Sequence, residues 1–316
     1  MKKCPICFSK ETNSLFEAFD ERYGHPGLYY ILGCSTCNHK FVLTNLEEYP
    51  IENLYTRYYP RSTFNLEKYQ PRQEIKGFLS WLNGERRLAY SWVPENVRVL
   101  DIGCGFGETL GYHRSRGCDV YGVEVDENIR RVADKFQFNV HVGAFDPDVY
   151  DTGFFDFVTM DQVIEHIADP QDTLRGIARI LKPGGLVIVS TPNANGWGAK
   201  VFGSRWINWH APYHLHHFSI RSMKAAAGKA GLVLEKTRTI TSSEWLHYQW
   251  NHLVTCPGIG IPSGFWSPKG KRSLKQKIWV QALSIFHMSK INHLITRLFD
   301  ALGWGDNYLF IFRKPI

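Results

Sequence analysis

Three glycines at alternate positions follow a short, largely apolar run in the first half of the chain. The run extends from Val97 to Ile102, and Gly103, Gly105 and Gly107 come directly after it. This pattern predicts a buried parallel strand that turns abruptly into a helix beginning near Glu108. Glycine has no Cβ, so a ligand can lie against bare backbone beside the amide groups of a helix N-terminus. The turn therefore predicts a cofactor site.

The glycine turn alone does not identify the cofactor. Its G-x-G-x-G spacing is one residue short of the dinucleotide pattern. Glu124 closes the next apolar strand, about 20 residues downstream, where a ribose-binding carboxylate is expected in either kind of cofactor site. Glu124 therefore predicts a ribose and leaves the rest of the cofactor open.

Later motifs narrow the choice. A strand-like run from Phe154 to Asp161 is followed by Glu165-His166, and the stretch from Leu181 to Gly185 reads Leu-Lys-Pro-Gly-Gly and leads into a further apolar strand. Taken in order with the glycine turn, these motifs resemble class I S-adenosylmethionine-dependent methyltransferases over roughly the middle half of the chain. The closest likeness is to a subgroup with an N-terminal four-cysteine module and a His-x-x-x-Phe-Ser segment, which includes enzymes acting on sugars and other small molecules.

Alternating strands and helices predict an α/β fold with a Rossmann-like, doubly wound sheet, which the resemblance makes seven-stranded. Strands are expected at 97–102, 119–124, 139–143, 155–160 and 185–190, and then at 232–234 and 307–313. Ligands in such sheets bind beyond the carboxyl ends of the strands. The resemblance implies the following cofactor-binding set: Asp101, Gly103, Gly105, Glu124, Ala144, Phe145 and Asp161. Within it, Gly103 and Gly105 would contact the methionine portion, Glu124 the ribose hydroxyls, and Ala144 with Phe145 the adenine.

Two Cys-x-x-Cys pairs, Cys4 with Cys7 and Cys34 with Cys37, lie near the N-terminus. Four thiolates complete a tetrahedral site that leaves no position for water, so the pairs predict a structural zinc ion. The alternative is a redox or empty thiol cluster. The segment between the pairs is too thin to fold without metal.

Tryptophans and histidines crowd the stretch from Trp197 to Phe218. Aromatic faces suit a sugar or another ring, and a histidine can accept a proton near neutral pH. His214 matches the histidine of the subgroup's segment and is the first candidate base, with His217 second. The histidines could instead hold a metal ion, although no carboxylate or cysteine accompanies them in this run. For His216 we favour a structural role at the start of the helix that Ser219 begins.

Glu165 also allows two interpretations. Its carboxylate could lie near the transferred methyl group, or it could hold backbone amides of the glycine turn. We favour the second, because the motif occurs in methyltransferases with very different acceptors.

The segment 241–306 lies between the last two strands and is far longer than an ordinary connection. It contains five basic residues between Lys269 and Lys277 and then a broad amphipathic stretch. This combination predicts peripheral contact with an anionic membrane through residues 266–302. The alternative is that the apolar face packs on the sheet or on a second subunit. A nucleic-acid partner is disfavoured, because aromatic residues do not interleave with the basic run.

We divide the chain into a zinc-ribbon-like module (1–45), an aromatic connector (46–95), the methyltransferase domain (96–240 plus 307–316) and the helical insertion (241–306). In the connector, the spacing of Ile75, Phe78, Leu79 and Leu82 predicts a helix that packs on the main domain, and Tyr58 and Tyr59 are candidates to cover the cofactor.

The chain has 316 residues and a net charge of +7, which is too modest to indicate a nucleic-acid binder by itself. It shows neither a signal peptide nor a run of ~18 apolar residues, so we expect a cytoplasmic protein, with peripheral contact at the inner face of a membrane as an option. The sequence does not predict the oligomeric state.

The predicted activity is S-adenosylmethionine-dependent O- or C-methylation of a small-molecule, glycan-precursor or lipid-linked acceptor. The chain has Asp161-Gln162-Val163-Ile164 in place of the segment with which nucleobase amino-methylating enzymes grip their nitrogen. The alternatives are a non-catalytic cofactor-binding or membrane-docking module, an RNA methyltransferase, and, last, a nicotinamide enzyme.

Overall fold

The computed structural model describes residues 2–43, 54, 58, 66–74 and 76–316. Its strands are β1 (Thr12–Phe19), β2 (Leu28–Cys34), β3 (Lys40–Leu43), β4 (Arg98–Ile102), β5 (Asp119–Glu124), β6 (Asn139–Val142), β7 (Phe155–Asp161), β8 (Leu181–Pro192), β9 (His216–His217), β10 (Val233–Ile240) and β11 (Asn307–Arg313). Its helices are α1 (Gly77–Asn83), α2 (Glu108–Arg114), α3 (Ile129–Phe136), α4 (Pro170–Ile180), α5 (Trp197–Phe202), α6 (Ile220–Lys229), α7 (Ser243–Thr255), α8 (Leu274–Met288) and α9 (Ile291–Ala301).

Seven strands form the main sheet in the order β10-β11-β8-β7-β4-β5-β6. The five strands from β8 to β6 are parallel, and β11 lies antiparallel between β8 and β10. The centre of the sheet is buried on both faces, as the near-continuous apolar runs of parallel strands require. The predicted fold is therefore confirmed, with strand bounds that differ mainly in β8, which begins at Leu181.

Helix α6 begins and ends where the sequence predicts. The Ser219 hydroxyl accepts a hydrogen bond from the Ser222 amide, and the Ser222 hydroxyl accepts one from the Ser219 amide. This reciprocal capping box satisfies two amide groups that a helix N-terminus otherwise leaves unpaired. Gly231, at φ +78°, follows the helix and turns the chain toward β10.

The cysteine module is joined to the methyltransferase domain by a shared sheet. Strand β9, from the domain, pairs with β3 and completes a second sheet of order β1-β2-β3-β9. Gln171 donates to the Pro5 carbonyl at 2.8 Å, and Lys229 donates to the Ile6 carbonyl at 2.7 Å. Cys4 and Ile6 also belong to the same buried cluster as the centre of the main sheet. The module and the domain therefore share one core.

The helix of the connector (46–95) buries fewer of its apolar side chains than the sequence predicts. A helix forms, but Phe78 and Leu79 are exposed and its buried residues are Ser80 and Leu82. The prediction that the whole apolar set packs inward is therefore wrong for Phe78 and Leu79, because the helix has only seven residues and turns a different face inward. Ile75 and Tyr59 lie outside the described residues.

The insertion contains three helices. The stretch that the sequence suggests as one amphipathic unit divides into α8 and α9 at Ser289 and Lys290, where Lys290 has φ +65°. Among the described residues, no helix is long and apolar enough to cross a membrane.

Candidate functional site

The glycine turn joins β4 to α2, and free space borders its middle glycine, Gly105. Gly103, Gly105 and Gly107 all have positive φ, at +77°, +57° and +78°. A Cβ on Gly103 would lie 2.4 Å from Val163 Cγ2, whereas a Cβ on Gly105 would meet no atom within 4 Å. Gly103 is therefore required by packing, and Gly105 borders free space in which a ligand can approach the backbone.

Asp101 holds the glycine turn in place through side-chain hydrogen bonds. Its carboxylate accepts hydrogen bonds from the hydroxyls of Thr109, in the first turn of α2, and of Thr159, in β7, the latter at 2.7 Å. The side chain is 4% exposed, and burial raises its pKa to about 6. Asp101 thus connects β4, β7 and α2 beneath the turn.

Glu124 reaches the glycine turn from the end of β5. Its two carboxylate oxygens each accept a backbone amide at 2.9 Å, one from Gly105 and one from Asp126. The side chain is only partly buried, so its remaining lone pairs face the space above Gly105. A carboxylate beside a glycine turn at the ends of parallel strands is placed to accept hydroxyl groups.

Strands β6 and β7 also end at this edge of the sheet. Ala144 is exposed and Phe145 is partly buried, just past β6. Asp146 caps the following 3₁₀ turn by accepting the amide of Asp148 at 2.9 Å. At the end of β7, Asp161 accepts the amide of Ala89 at 2.9 Å and the hydroxyl of Ser190, and burial raises its pKa.

Glu165 is fully buried just past β7. One carboxylate oxygen accepts the Thr191 hydroxyl at 3.0 Å, while the other, Oε1, has no hydrogen-bond partner among the described residues. Burial raises its pKa to about 8. The favoured expectation that Glu165 holds amides of the glycine turn is wrong, because those of Gly103 and Gly105 bond to the Val123 carbonyl and to Glu124.

Two histidines meet beside Glu165. The His166 Nδ1 lies 2.9 Å from the Tyr213 carbonyl, the His214 Nδ1 lies 2.8 Å from the Asn208 carbonyl, and the two ring centroids are 4.6 Å apart. A carbonyl only accepts, so each Nδ1 carries the proton and each Nε2 keeps its lone pair. Burial lowers the pKa of His166 to about 4 and that of His214 well below its usual range, so both rings are neutral at pH 7.

His217 has the opposite arrangement. Its Nε2 lies 3.2 Å from the same Asn208 carbonyl, and its Nδ1 is buried without a partner. Its ring packs on Trp209 with centroids 4.8 Å apart. His216 bonds through Nδ1 to His39 Nε2 at 3.1 Å, across the β3–β9 pair, while Ser219 caps α6 through its own hydroxyl. His216 therefore has a structural place, in the small sheet rather than at the helix start.

The N-terminal module supplies an aromatic wall to this histidine cluster. The Tyr23 ring lies 5.4 Å from Tyr213 and 5.7 Å from His210, and Tyr58 belongs to the same apolar cluster. Asp20 holds the loop by accepting the amides of Arg22, Tyr23 and His25. Tyr58 is therefore part of this aromatic wall. Tyr23 is not predicted from the sequence, although an Asp before a turn, here Asp20, is a recognisable signal.

A cavity of about 220 Å³ lies beside this wall. Its lining includes Glu21, Arg22, Trp209, His210 and His252. His252 Nε2 is 2.9 Å from Glu21 Oε2, so the N-terminal module and the insertion meet at this cavity.

Two groups of side chains in the described part of the chain have the spacing of metal ligands. One is Cys4, Cys7, Cys34 and Cys37, and the other is Glu165, His166 and His214, with the ligand atoms of each group within 4.8 Å of one another. The Sγ atoms of Cys4 and Cys37 are 3.6 Å apart and those of Cys7 and Cys34 are 3.5 Å apart, too long for disulfides. A tetrahedral zinc with Zn–S of ~2.3 Å requires sulfur separations of ~3.8 Å, so the four thiols fit that ion. The second group supplies the carboxylate that the histidine run itself lacks.

The fold and this edge of the sheet together define the class. A family model described as a methyltransferase domain matches residues 67–237, more than half of the chain. The chain therefore belongs to this family of methyltransferase domains.

The individual proteins that match this chain share only a modest sequence identity with it. The chain is 28% identical over 162 residues to the ubiquinone biosynthesis O-methyltransferase of Ralstonia nicotianae, covering 48% of this chain and 66% of that protein. It is 31% identical over 165 residues to the protein of the same name from Xanthomonas axonopodis pv. citri, covering 48% and 69%. The chain thus matches less than two thirds of the Ralstonia protein. A SAM-dependent methyltransferase from Archaeoglobus fulgidus aligns with TM-score 0.44 and 17% identity, covering 75% of this chain and 93% of that one.

Proposed function

We propose that this chain transfers the methyl group of S-adenosylmethionine to a hydroxyl oxygen of a small, ring-bearing acceptor, with a glycan-precursor or lipid-linked molecule as the acceptor class. The observation that carries the proposal is the neutral His214 imidazole, which keeps the Nε2 lone pair beside the carboxyl ends of β7 and β8. The curated relatives are O-methyltransferases by name, which supports oxygen over carbon.

The residues at the edge of the sheet fit the cofactor. Gly105 leaves the space that a Cβ would fill, and Glu124 beside it would accept the ribose hydroxyls. Gly103 would lie along the methionine portion, Ala144 and Phe145 would flank the adenine, and Asp101 would position the turn. Asp161 would act through the Ala89 amide by holding the 3₁₀ turn at 89–92. When bound, S-adenosylmethionine supplies an electrophilic methyl group.

His214 would remove the acceptor's proton through Nε2. The Asn208 carbonyl fixes the tautomer, because it accepts the Nδ1 proton, and burial lowers the pKa of the ring, which keeps it neutral with the Nε2 lone pair available. General bases of this kind contribute typically ~10²–10⁴-fold to a rate. His217 fits the role less well, because its unprotonated Nδ1 is enclosed. Tyr23 would border the acceptor ring, while Tyr213, which is fully buried and stacked on His210, supports Tyr23.

The four cysteines would hold a structural zinc ion. Four thiolates close the coordination sphere, so the ion would supply stability rather than chemistry. Because Ser219 donates to the Cys37 carbonyl at 2.7 Å, the ion would also support the start of α6 and the histidine segment before it.

The first experiment combines methyl-labelled S-adenosylmethionine, the purified chain and a cell extract, followed by separation of organic, small aqueous and macromolecular fractions. We expect label in the organic or small aqueous fraction. Label confined to RNA in the macromolecular fraction would refute the proposed acceptor class, and the absence of any acceptor-dependent S-adenosylhomocysteine would refute the activity.

With the labelled acceptor in hand, His214→Ala should lower kcat by ~10²-fold or more and leave the Kd for S-adenosylhomocysteine unchanged. His217→Ala removes the other donor to Asn208 and is the matched comparison, with a smaller expected loss. His216→Ala controls for the loss of a buried imidazole outside the cluster. Equal losses in the His214 and His217 variants would refute His214 as the base. Loss of wild-type activity on chelation, restored by Mg²⁺ while the zinc content stays unchanged, would instead assign Glu165, His166 and His214 to metal binding.

A further inference from the structure

Helix α9 presents its apolar face to solvent and its polar face to the protein. The buried residues of this helix are Asn292, His293, Thr296 and Arg297. Its exposed large side chains are Ile291, Leu294 and Leu298, at 50%, 57% and 62% exposure. This is the reverse of the usual arrangement for a surface helix.

The inward polar face is satisfied by specific bonds. Asn292 donates to the Ser243 carbonyl at 2.7 Å, and Thr296 bonds the Ser243 hydroxyl at 3.0 Å. Arg297 donates to the carbonyls of Trp81 and Thr241 and pairs with Asp300 at 2.9 Å. These contacts determine which face of the helix points inward, so the outward apolar face is a defined feature of the fold. The expectation that it packs on the sheet is wrong.

Helix α8 extends the apolar surface. None of its residues is buried. Across α8, α9 and the residues that follow, the exposed large apolar side chains are Leu274, Ile278, Trp279, Ile285, Met288, Ile291, Leu294, Leu298, Leu302 and Trp304. Scattered exposed apolar residues are ordinary on a monomer, but ten within a stretch of about 30 residues indicate a binding surface.

The same segment carries nearly all of the excess charge of the chain. Residues 266–302 contain seven Lys or Arg and one Asp, a net +6, against +7 for all 316 residues. Arg297 and Asp300 pair with each other. The six remaining cations, Lys269, Lys271, Arg272, Lys275, Lys277 and Lys290, are all exposed.

We propose that α8 and α9, which we call the apolar-basic face, lie on the surface of an anionic lipid membrane. Apolar side chains enter the acyl boundary while Lys and Arg contact the headgroups, which is the physical pattern of interfacial helices. A second copy of the chain fits less well, because a two-fold contact would bring six exposed cations against six others. This inference does not depend on the acceptor.

The test is flotation of the full chain with vesicles of phosphatidylcholine alone or with 30% phosphatidylglycerol, chosen as a roughly physiological anionic fraction. We expect binding to the anionic vesicles, weakened by salt, and little binding to phosphatidylcholine. Leu294→Gln with Leu298→Gln should weaken binding by about tenfold or more. Lys275→Gln with Lys277→Gln should weaken it by roughly fivefold per charge. Val233→Gln, on the edge strand β10 at 57% exposure, is the matched control and should bind as wild type.

Two results would overturn the proposal. One is equal or absent binding to both vesicle types. The other is a wild-type dimer that the Leu294→Gln/Leu298→Gln variant converts to monomer, without any vesicle binding, which would assign the face to a second copy. Far-UV circular dichroism and thermal unfolding of each variant verify that the exposed substitutions leave the fold intact.

Discussion

Replacing Gly105 by Ala separates the cofactor role of the glycine turn from its structural role. A Cβ at this position would meet no protein atom within 4 Å, so the substitution creates no clash in the free protein. The backbone has φ +57°, which an L-residue adopts at a cost of ~1–2 kcal/mol. The new methyl group would stand in the space above the turn, where the proposed cofactor lies against bare backbone.

The two effects, on cofactor binding and on stability, are measured separately. Carbon atoms in contact are ~3.5–4.0 Å apart, so a cofactor packed on Gly105 must move by a substantial fraction of an ångström to accommodate a Cβ. We expect the Kd for S-adenosylhomocysteine to rise by at least about tenfold, or ~1.4 kcal/mol, in isothermal titration calorimetry. Stability should fall by only the ~1–2 kcal/mol of the left-handed conformation, read from urea unfolding.

Gly231→Ala is the matched control. Gly231 has φ +78°, and a Cβ there also meets no atom within 4 Å, but it lies after α6 and away from the turn. It should lose similar stability and keep the wild-type Kd. Gly103→Ala, whose Cβ would lie 2.4 Å from Val163 Cγ2, should lose more stability than either. If Gly105→Ala bound S-adenosylhomocysteine as tightly as the control, the cofactor would not lie on this turn.

Two further predictions concern stability and the metal. Burial raises the pKa of Asp306 to about 7 from its ordinary value of 3.8, so the folded chain binds this proton more tightly than the unfolded chain, and stability should fall as the pH rises from about 4 to about 7. Asp306→Asn should remove about 3 kcal/mol of that dependence between pH 4.5 and pH 7.5 in urea unfolding, and an unchanged slope would contradict the reasoning. The purified chain should contain one zinc ion, and Cys34→Ser should lower both the zinc content by elemental analysis and the melting temperature; a metal-free, equally stable wild type would contradict the zinc proposal.

The sequence predicts the main sheet well because its signals are local. The strand β4 and the glycine turn are contiguous, and the capping box at Ser219 spans four residues. Parallel strands are buried on both faces, so they appear in the sequence as near-continuous apolar runs. The order of these runs along the chain largely determines the fold.

The proposed acceptor side depends on contacts between residues that are distant in sequence. Tyr23 contacts Tyr213 where the N-terminal module is joined to the domain by the β3–β9 pair, and neither segment has a sequence pattern that predicts this pairing. The partner of Glu165 is likewise Thr191, in a neighbouring strand. The tautomer of His214, and hence its chemistry, is decided by a main-chain carbonyl that sequence patterns cannot reveal.

Helix α9 illustrates a limit of periodicity. The spacing of Ile291, Leu294 and Leu298 identifies an apolar face but not which side of the helix meets the protein. Here that is decided by Asn292 and Arg297, whose bonds to α7 and to the backbone near α1 turn the apolar face outward.

The N-terminal module forms a wall of the proposed acceptor site. It shares the β3–β9 pair with the segment that carries His214 and His217, and its Tyr23 packs on Tyr213. The glycine turn and Glu124, by contrast, depend on contacts within the main sheet. Damage to the cysteine cluster should therefore impair methyl transfer before it impairs cofactor binding.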